Sequence, residues 1–214
     1  MCDEVIYMSS IDFLICCYFG QAKDLYKAAI DRGYRDMASH TLSLKKDESD
    51  SKWKYRYDAS NKIREYLRVF SKDTIFLEWH ENVINEIVGI YKNNLSIGQA
   101  QKWLNMVIKY LFVFYTVLPK YRIEKELREF KYVIKNIKDF YVPIDSYVLT
   151  ETNLKEEYRL WSTSDRDQYE DLNSKLKLDG YDFIWELVNW NSFNRRYDSK
   201  SYDYYYEKMN ANSI

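Results

Sequence analysis

The stretch Asn93-Asn94-Leu95-Ser96-Ile97-Gly98-Gln99-Ala100-Gln101-Lys102-Trp103, with the apolar run that follows it to Leu118, decides the fold class. Asn93-Asn94 breaks a preceding helix, and Ser96 with Gln99 three residues on spells a capping box. Ile97, Ala100, Trp103/Leu104, Val107/Ile108, Leu111 and Phe114/Tyr115 then recur at helical spacing until Pro119. The pattern is helix, short hairpin, helix. On the other side of the second helix, the 3.6-residue period aligns Lys102, Asn105 and Lys109 in one polar row.

The flanking sequence agrees with this helical reading. Residues 4–32 read as one or two helices ending at Gly33, and further helices are expected at about 58–70 and 74–93. The run from Lys45 to Lys52 is a solvated loop. A basic helix is expected over about 122–139, another from Trp161 to about Leu178 with Gly180 as its stop, and an aromatic one from Asp182 to Trp190. Five glycines and two prolines in 214 residues are too few for a turn-dense sandwich or barrel, and alternating strand patterns are scarce. The expectation is all-α: a single compact helical domain over 1–214 containing a helix-hairpin-helix, closed by a Tyr-rich tail at 191–214.

Composition narrows the function classes. The longest strongly apolar stretch, Leu111 to Leu118, is far short of a bilayer, and residues 1–19 lack the basic start and cleavage site of a signal peptide. A soluble, cytoplasmic protein with no membrane partner is expected. Cys2, Cys16 and Cys17, with only His40 and His80 to assist, suggest neither a disulfide frame nor a zinc site, and no metal or cofactor is implied. A net charge of −1 argues against a general nucleic-acid binder. The charge is unevenly placed, however. Residues 97–140 carry nine Lys/Arg against four acids, a local +5 that leaves −6 for the remainder. Either this is a basic centre in an acidic frame or a solvated helix face with i,i+4 pairs such as Glu124/Arg128.

Two residues suit one chemistry. In Tyr141-Val142-Pro143-Ile144-Asp145-Ser146-Tyr147-Val148, a proline in an extended entry followed by Asp and a helix-like run sets Asp145 at a helix N-terminus, ionised and pointing outward. Lys102 is expected in the first turn of its capped helix, where the positive dipole end and nearby Lys109 disfavour an ammonium. A free amine can attack an electrophilic carbon to give a Schiff base, and an ionised Asp beside it can stabilise a cationic sugar. Together these serve N-glycosidic cleavage. As a bland alternative, a lysine in a helix's polar row is ordinarily solvated, and P-x-D is often only a cap.

The hairpin Leu95-Ser96-Ile97-Gly98, the lysine after it and the V-P-I-D segment beyond a following helix resemble the helix-hairpin-helix DNA glycosylases, which include the 8-oxoguanine DNA glycosylases, over roughly 74–190. The resemblance implies a monomer that removes a damaged or modified base from DNA, with Lys102 as nucleophile and Asp145 as partner. Lys109 is a rival nucleophile. It implies base flipping into a pocket, to which Trp103, Asn105, Lys109, Trp161, Ser162 and Glu186 are assigned, and DNA-backbone contacts at Ser96, Gly98, Gln99, Lys131 and Lys135. The role is either repair or attack on foreign modified DNA, as in phage defence. The hairpin has one glycine where the family has two, and the Lys-to-Asp separation is longer than the family's. Two other readings compete. Arg35-Asp36-Met37-Ala38-Ser39-His40 resembles the R-x4-H pattern of HEPN ribonucleases, all-helical dimers that cleave RNA without metal. The third reading is a non-enzymatic helical interaction module, which a charge near zero and aromatic richness suit.

Overall fold

A computed structural model describes residues 2–37, 42 and 51–193. Among them there are helices and no strands. The order is α1 (Cys2–Phe19), α2 (Leu25–Asp36), α3 (Ser51–Val69), α4 (Phe76–Ile90), α5 (Ile97–Val117), α6 (Lys120–Glu126), α7 (Phe130–Ile134), α8 (Ser146–Glu151), α9 (Arg166–Leu178) and α10 (Phe183–Phe193). Short 3-10 turns lie at Ile137–Asp139 and Trp161–Thr163. None of the described helices is long and apolar enough to cross a membrane.

The architecture is organised around α5. Its start is the expected capping box: Ser96 Oγ accepts from the Gln99 amide, and the Gln99 side chain accepts from the Ser96 amide. From Gly98 to Leu111 every residue is buried, so α5 is wrapped on all sides and has no solvent face along that length. Helix α2 crosses it closely. A Cβ on Gly33 would lie 3.0 Å from both the Trp103 carbonyl oxygen and Val107 Cγ2. Gly33 therefore permits helix contact rather than ending a helix, and α2 continues to Asp36. The stop falls earlier, at Gly20 (φ +85°), which ends α1 in the left-handed conformation that glycine adopts at no steric cost. Gly180 (φ +79°) ends α9 in the same way, as expected.

Two expected helices are interrupted. The basic helix over 122–139 is three pieces: α6, α7 and a 3-10 turn. Leu127, Phe130 and Val133 are all fully buried at a spacing of three. The backbone follows that period, with i→i+3 bonds from Phe130 N to Leu127 O and from Asn136 N to Val133 O. Trp161 does not open α9. Asp165 does, through a capping box with Gln168, which is the stronger start signal.

Candidate functional site

Between α7 and α8 the chain runs extended through Tyr141–Ile144 and pairs with no strand, so its carbonyls need other donors. The polar row of α5 supplies them. Asn105 Nδ2 donates to Val142 O at 3.4 Å, Lys102 Nζ to Pro143 O at 3.0 Å and Gln101 Nε2 to Ile144 O at 3.4 Å. The row is thus buried rather than solvated, and it stitches the entry segment to the central helix.

At the end of that segment Asp145 caps α8 as expected. Its Oδ1 accepts from the amides of Tyr147 (2.9 Å) and Val148 (3.0 Å). Its Oδ2 lies 2.7 Å from Lys102 Nζ. Asp145 points inward to this partner, not outward, because the amine on α5 offers an ion pair that a solvent-facing carboxylate would forgo. Lys102 is the sixth residue of α5, in the second turn rather than the first, so its environment is set by Asp145 and Pro143 more than by the helix terminus. The Lys102 side chain is 3% exposed and that of Asp145 13%.

About two turns further along α5, Lys109 Nζ is 2.7 Å from both carboxylate oxygens of Glu186 on α10 and 3.9 Å from the Trp190 ring centroid. This pair is sealed. Burial pushes the Glu186 carboxyl above its ordinary range and the Lys109 ammonium below its own, each partly offset by the partner's opposite charge. The charges of Lys102 and Asp145 also reach both groups. The four side chains form one buried cluster of two cations and two anions.

Sequence reasoning missed two members of the surrounding network. His80 on α4 is buried, with Nε2 2.6 Å from Asn105 Oδ1, and Asn105 Nδ2 donates in turn to Gln101 Oε1 at 3.0 Å. Burial, aided by the positive charges of Arg166 and Lys177, pushes the His80 imidazole down to about 4 against the Asn105 hydrogen bond. The signal was available: His80 falls on the apolar face set by Phe76, Trp79, Val83, Ile84 and Ile87, where an imidazole needs a buried partner. His80 also lines a cleft of about 350 Å³ with Tyr141, Tyr169, Asn173, Arg166 and Lys177.

Other assigned residues lie elsewhere. Trp103 is fully buried, its Nε1 donating to Ile30 O at 3.0 Å and its ring edge-on to Tyr34, so it is a core residue without access to a base. The hairpin is occupied by its own chain. Gly98 N donates to Ser164 O at 3.2 Å, Ser96 Oγ donates to Ser162 O at 2.6 Å, and a Cβ on Gly98 would fall 1.9 Å from Trp161 O. Trp161 and Ser162 are therefore the cover of the hairpin, and the amides of Ser96, Gly98 and Gln99 are engaged within the chain. Lys131 and Lys135 stand over the Tyr132 ring, at 4.7 and 5.6 Å from its centroid. Of the expected site, the fold brings together Lys102, Asn105, Lys109, Asp145 and Glu186.

For the ribonuclease reading, Arg35 is exposed and donates to the carbonyls of Asp31 and Phe19. His40 lies outside the described residues, as does the Tyr-rich stretch 197–206. Among the described residues no three His, Cys, Asp or Glu side chains gather as a metal-binding set. No protein-family model, curated protein or solved structure matches the chain.

Proposed function

We propose that the protein is a helix-hairpin-helix-type DNA glycosylase that removes a damaged or modified base, with Lys102 as nucleophile and Asp145 as its partner. The observation that supports this reading is the meeting of the two side chains at 2.7 Å across 43 residues of sequence, at the N-terminus of α8. In the resting pair the ammonium donates to Asp145 Oδ2 and Pro143 O. For reaction, a proton passes from the Lys102 ammonium to the departing base as its bond to C1′ breaks, and the Asp145 carboxylate faces the cationic sugar. The freed Nζ forms the new bond at C1′, and a second proton from Nζ goes to the ring oxygen as the C1′–O bond opens to a protonated Schiff base. The sugar reaches the pair from the side on which Asp145 keeps contact with solvent.

The test is incubation with duplexes carrying oxidised, alkylated, deaminated or hydroxymethylated bases, followed by assay for abasic sites and by borohydride trapping. Lys102→Gln should abolish trapping and Asp145→Asn should abolish base release, with helical content unchanged by circular dichroism. If trapping survives Lys102→Gln and is lost in Lys109→Gln, Lys109 is the nucleophile. Absence of abasic sites across the panel removes the reading.

Burial of the ion pair and self-occupation of the hairpin favour a second reading, a non-enzymatic helical module in which the cluster only fixes the packing of α5, α8 and α10. Under it, no substrate of the panel is turned over.

A further inference from the structure

Helix α1 is apolar on both of its faces. Its inner stripe of Ile11, Ile15 and Phe19 packs on the body of the protein, and Phe19 meets the rings of Tyr110 and Phe114. On the rest of its circumference Val5, Ile6, Tyr7, Phe13, Leu14 and Tyr18 are 45% to 66% exposed. A helix that is hydrophobic all round is ordinarily buried all round. These six side chains leave roughly 100 Å² each in water, about 600 Å² together, so two such faces in contact would remove at most about 1,200 Å², the lower edge of a specific interface.

We propose that α1 is a homodimer interface, its occupant α1 of a second copy in antiparallel orientation. Self-complementarity selects that orientation. The outermost stripe is Ile6, Ser10, Phe13 and Cys17, at the i, i+4, i+7 spacing of a helix seam. With the two-fold axis between Ile11 and Asp12, Phe13 of each copy faces Ser10 of the other and Ile6 faces Cys17. On one flank of the seam Tyr7, Leu14 and Tyr18 lie together, and the two-fold sets that apolar flank against the same flank of the partner. Along the seam each large side chain meets a small one, the knob-and-hole alternation that close helix packing requires. A parallel pair would instead set Phe13 against Phe13.

The test is sedimentation of the full chain at tens of micromolar. The expected mass is twice the 26.1 kDa of one chain. Phe13→Glu and, independently, Ser10→Arg should raise the dissociation constant on the order of 100-fold with helical content unchanged, because each puts a charge at the centre of the seam. The register has its own readout. Cys16 and Cys17 are free and exposed, so Ile6→Cys treated with diamide should give a covalent dimer through Cys17 of the other copy, whereas the native chain should not. A monomeric native chain at these concentrations overturns the proposal, as does a dimer indifferent to both charge substitutions. Flotation with neutral phosphatidylcholine vesicles that is lost in Phe13→Glu would assign the face to a lipid surface and equally overturn it. Native-chain cross-linking through Cys17 alone would refute the antiparallel register.

Discussion

Removing Lys109 while leaving Glu186 should be among the most damaging single changes in this chain. The Glu186 side chain has no exposure and that of Lys109 has 6%, so Lys109→Met strands a carboxylate where water cannot solvate it. Breaking a buried pair from one side costs about 3–5 kcal/mol. For a chain of this size that corresponds to a fall in Tm of roughly 6–20 °C. Met fills most of the volume of the lysine stem, so the loss is electrostatic rather than a cavity. Two controls isolate it. Lys109→Met with Glu186→Leu should recover stability to within about 1 kcal/mol of the native chain, since apolar replacement of both partners is close to neutral. The single variant's deficit should also depend on pH. Burial already raises the Glu186 carboxyl, and Lys109 is the strongest influence opposing that rise. Without Lys109 the folded-state pKa stands still further above the unfolded one. The folded variant then holds a proton that the unfolded chain has released, so its stability falls as pH rises through that window and returns on acidification. Urea unfolding followed by circular dichroism at pH 5 and pH 8, always as the difference from the native chain, measures both effects. A deficit under 1 kcal/mol at pH 8, one independent of pH, or a double variant no better than the single would refute the buried-pair reasoning.

Three further outcomes are expected. The His80 imidazole titrates near 4 in the fold against 6.5 when unfolded, so the unfolded chain binds more protons between these values and stability should drop by about 3 kcal/mol as pH falls from 6.5 to 4; His80→Gln should flatten that limb of the unfolding profile. Gly98→Ala must move the Trp161–Ser164 cover, because its Cβ would overlap Trp161 O, and should cost on the order of 1–3 kcal/mol with faster hydrogen exchange at the Gly98 amide. If the glycosylase proposal holds, DNA affinity should show a log–log salt slope of roughly −3 to −5, since Lys102, Lys109 and Arg122 are held in buried pairs and leave only the surface cations of 97–140 for phosphates; Lys131→Glu with Lys135→Glu should weaken binding to all sequences alike.

What was legible in the sequence was local. The Ser96/Gln99 capping box, the Asp145 cap after Pro143 and the glycine stop at Gly180 each follow from hydrogen bonds and dihedrals within a few residues, and each is present. Gly33 misled for the opposite reason. Its role is set by Trp103 and Val107, some seventy residues away, and no local pattern distinguishes a glycine that ends a helix from one that lets two helices touch. The interruption of 122–139 arises the same way. The spacing of Leu127, Phe130 and Val133 is readable, but the decision that all three face inward belongs to the packing around them. Periodicity likewise identified Lys102, Asn105 and Lys109 as one row and could not show what faces it. On a helix with one exposed side a polar row faces water; on α5, enclosed on every side, the same row must find its partners within the protein.

The two ion pairs on that row are physically different, and the difference separates structure from chemistry. Lys109 and Glu186 are closed off, with both carboxylate oxygens on the amine and the Trp190 ring over it. A substrate would have to displace α10 to reach them. An apolar pair could hold the helices together as well, so what such charges supply is a unique pairing of α5 with α10, a mismatch being costly. Lys102 and Asp145 are only partly closed, with Asp145 at the rim and two backbone amides holding its other oxygen. That carboxylate is fixed in direction before any ligand arrives, which is the preorganisation a charge-stabilising group needs. Replacing Lys102 and Asp145 together by Met and Asn keeps the α8 cap and removes the charges. The fold should survive that change with little loss of stability, and any activity the chain has at this site should not.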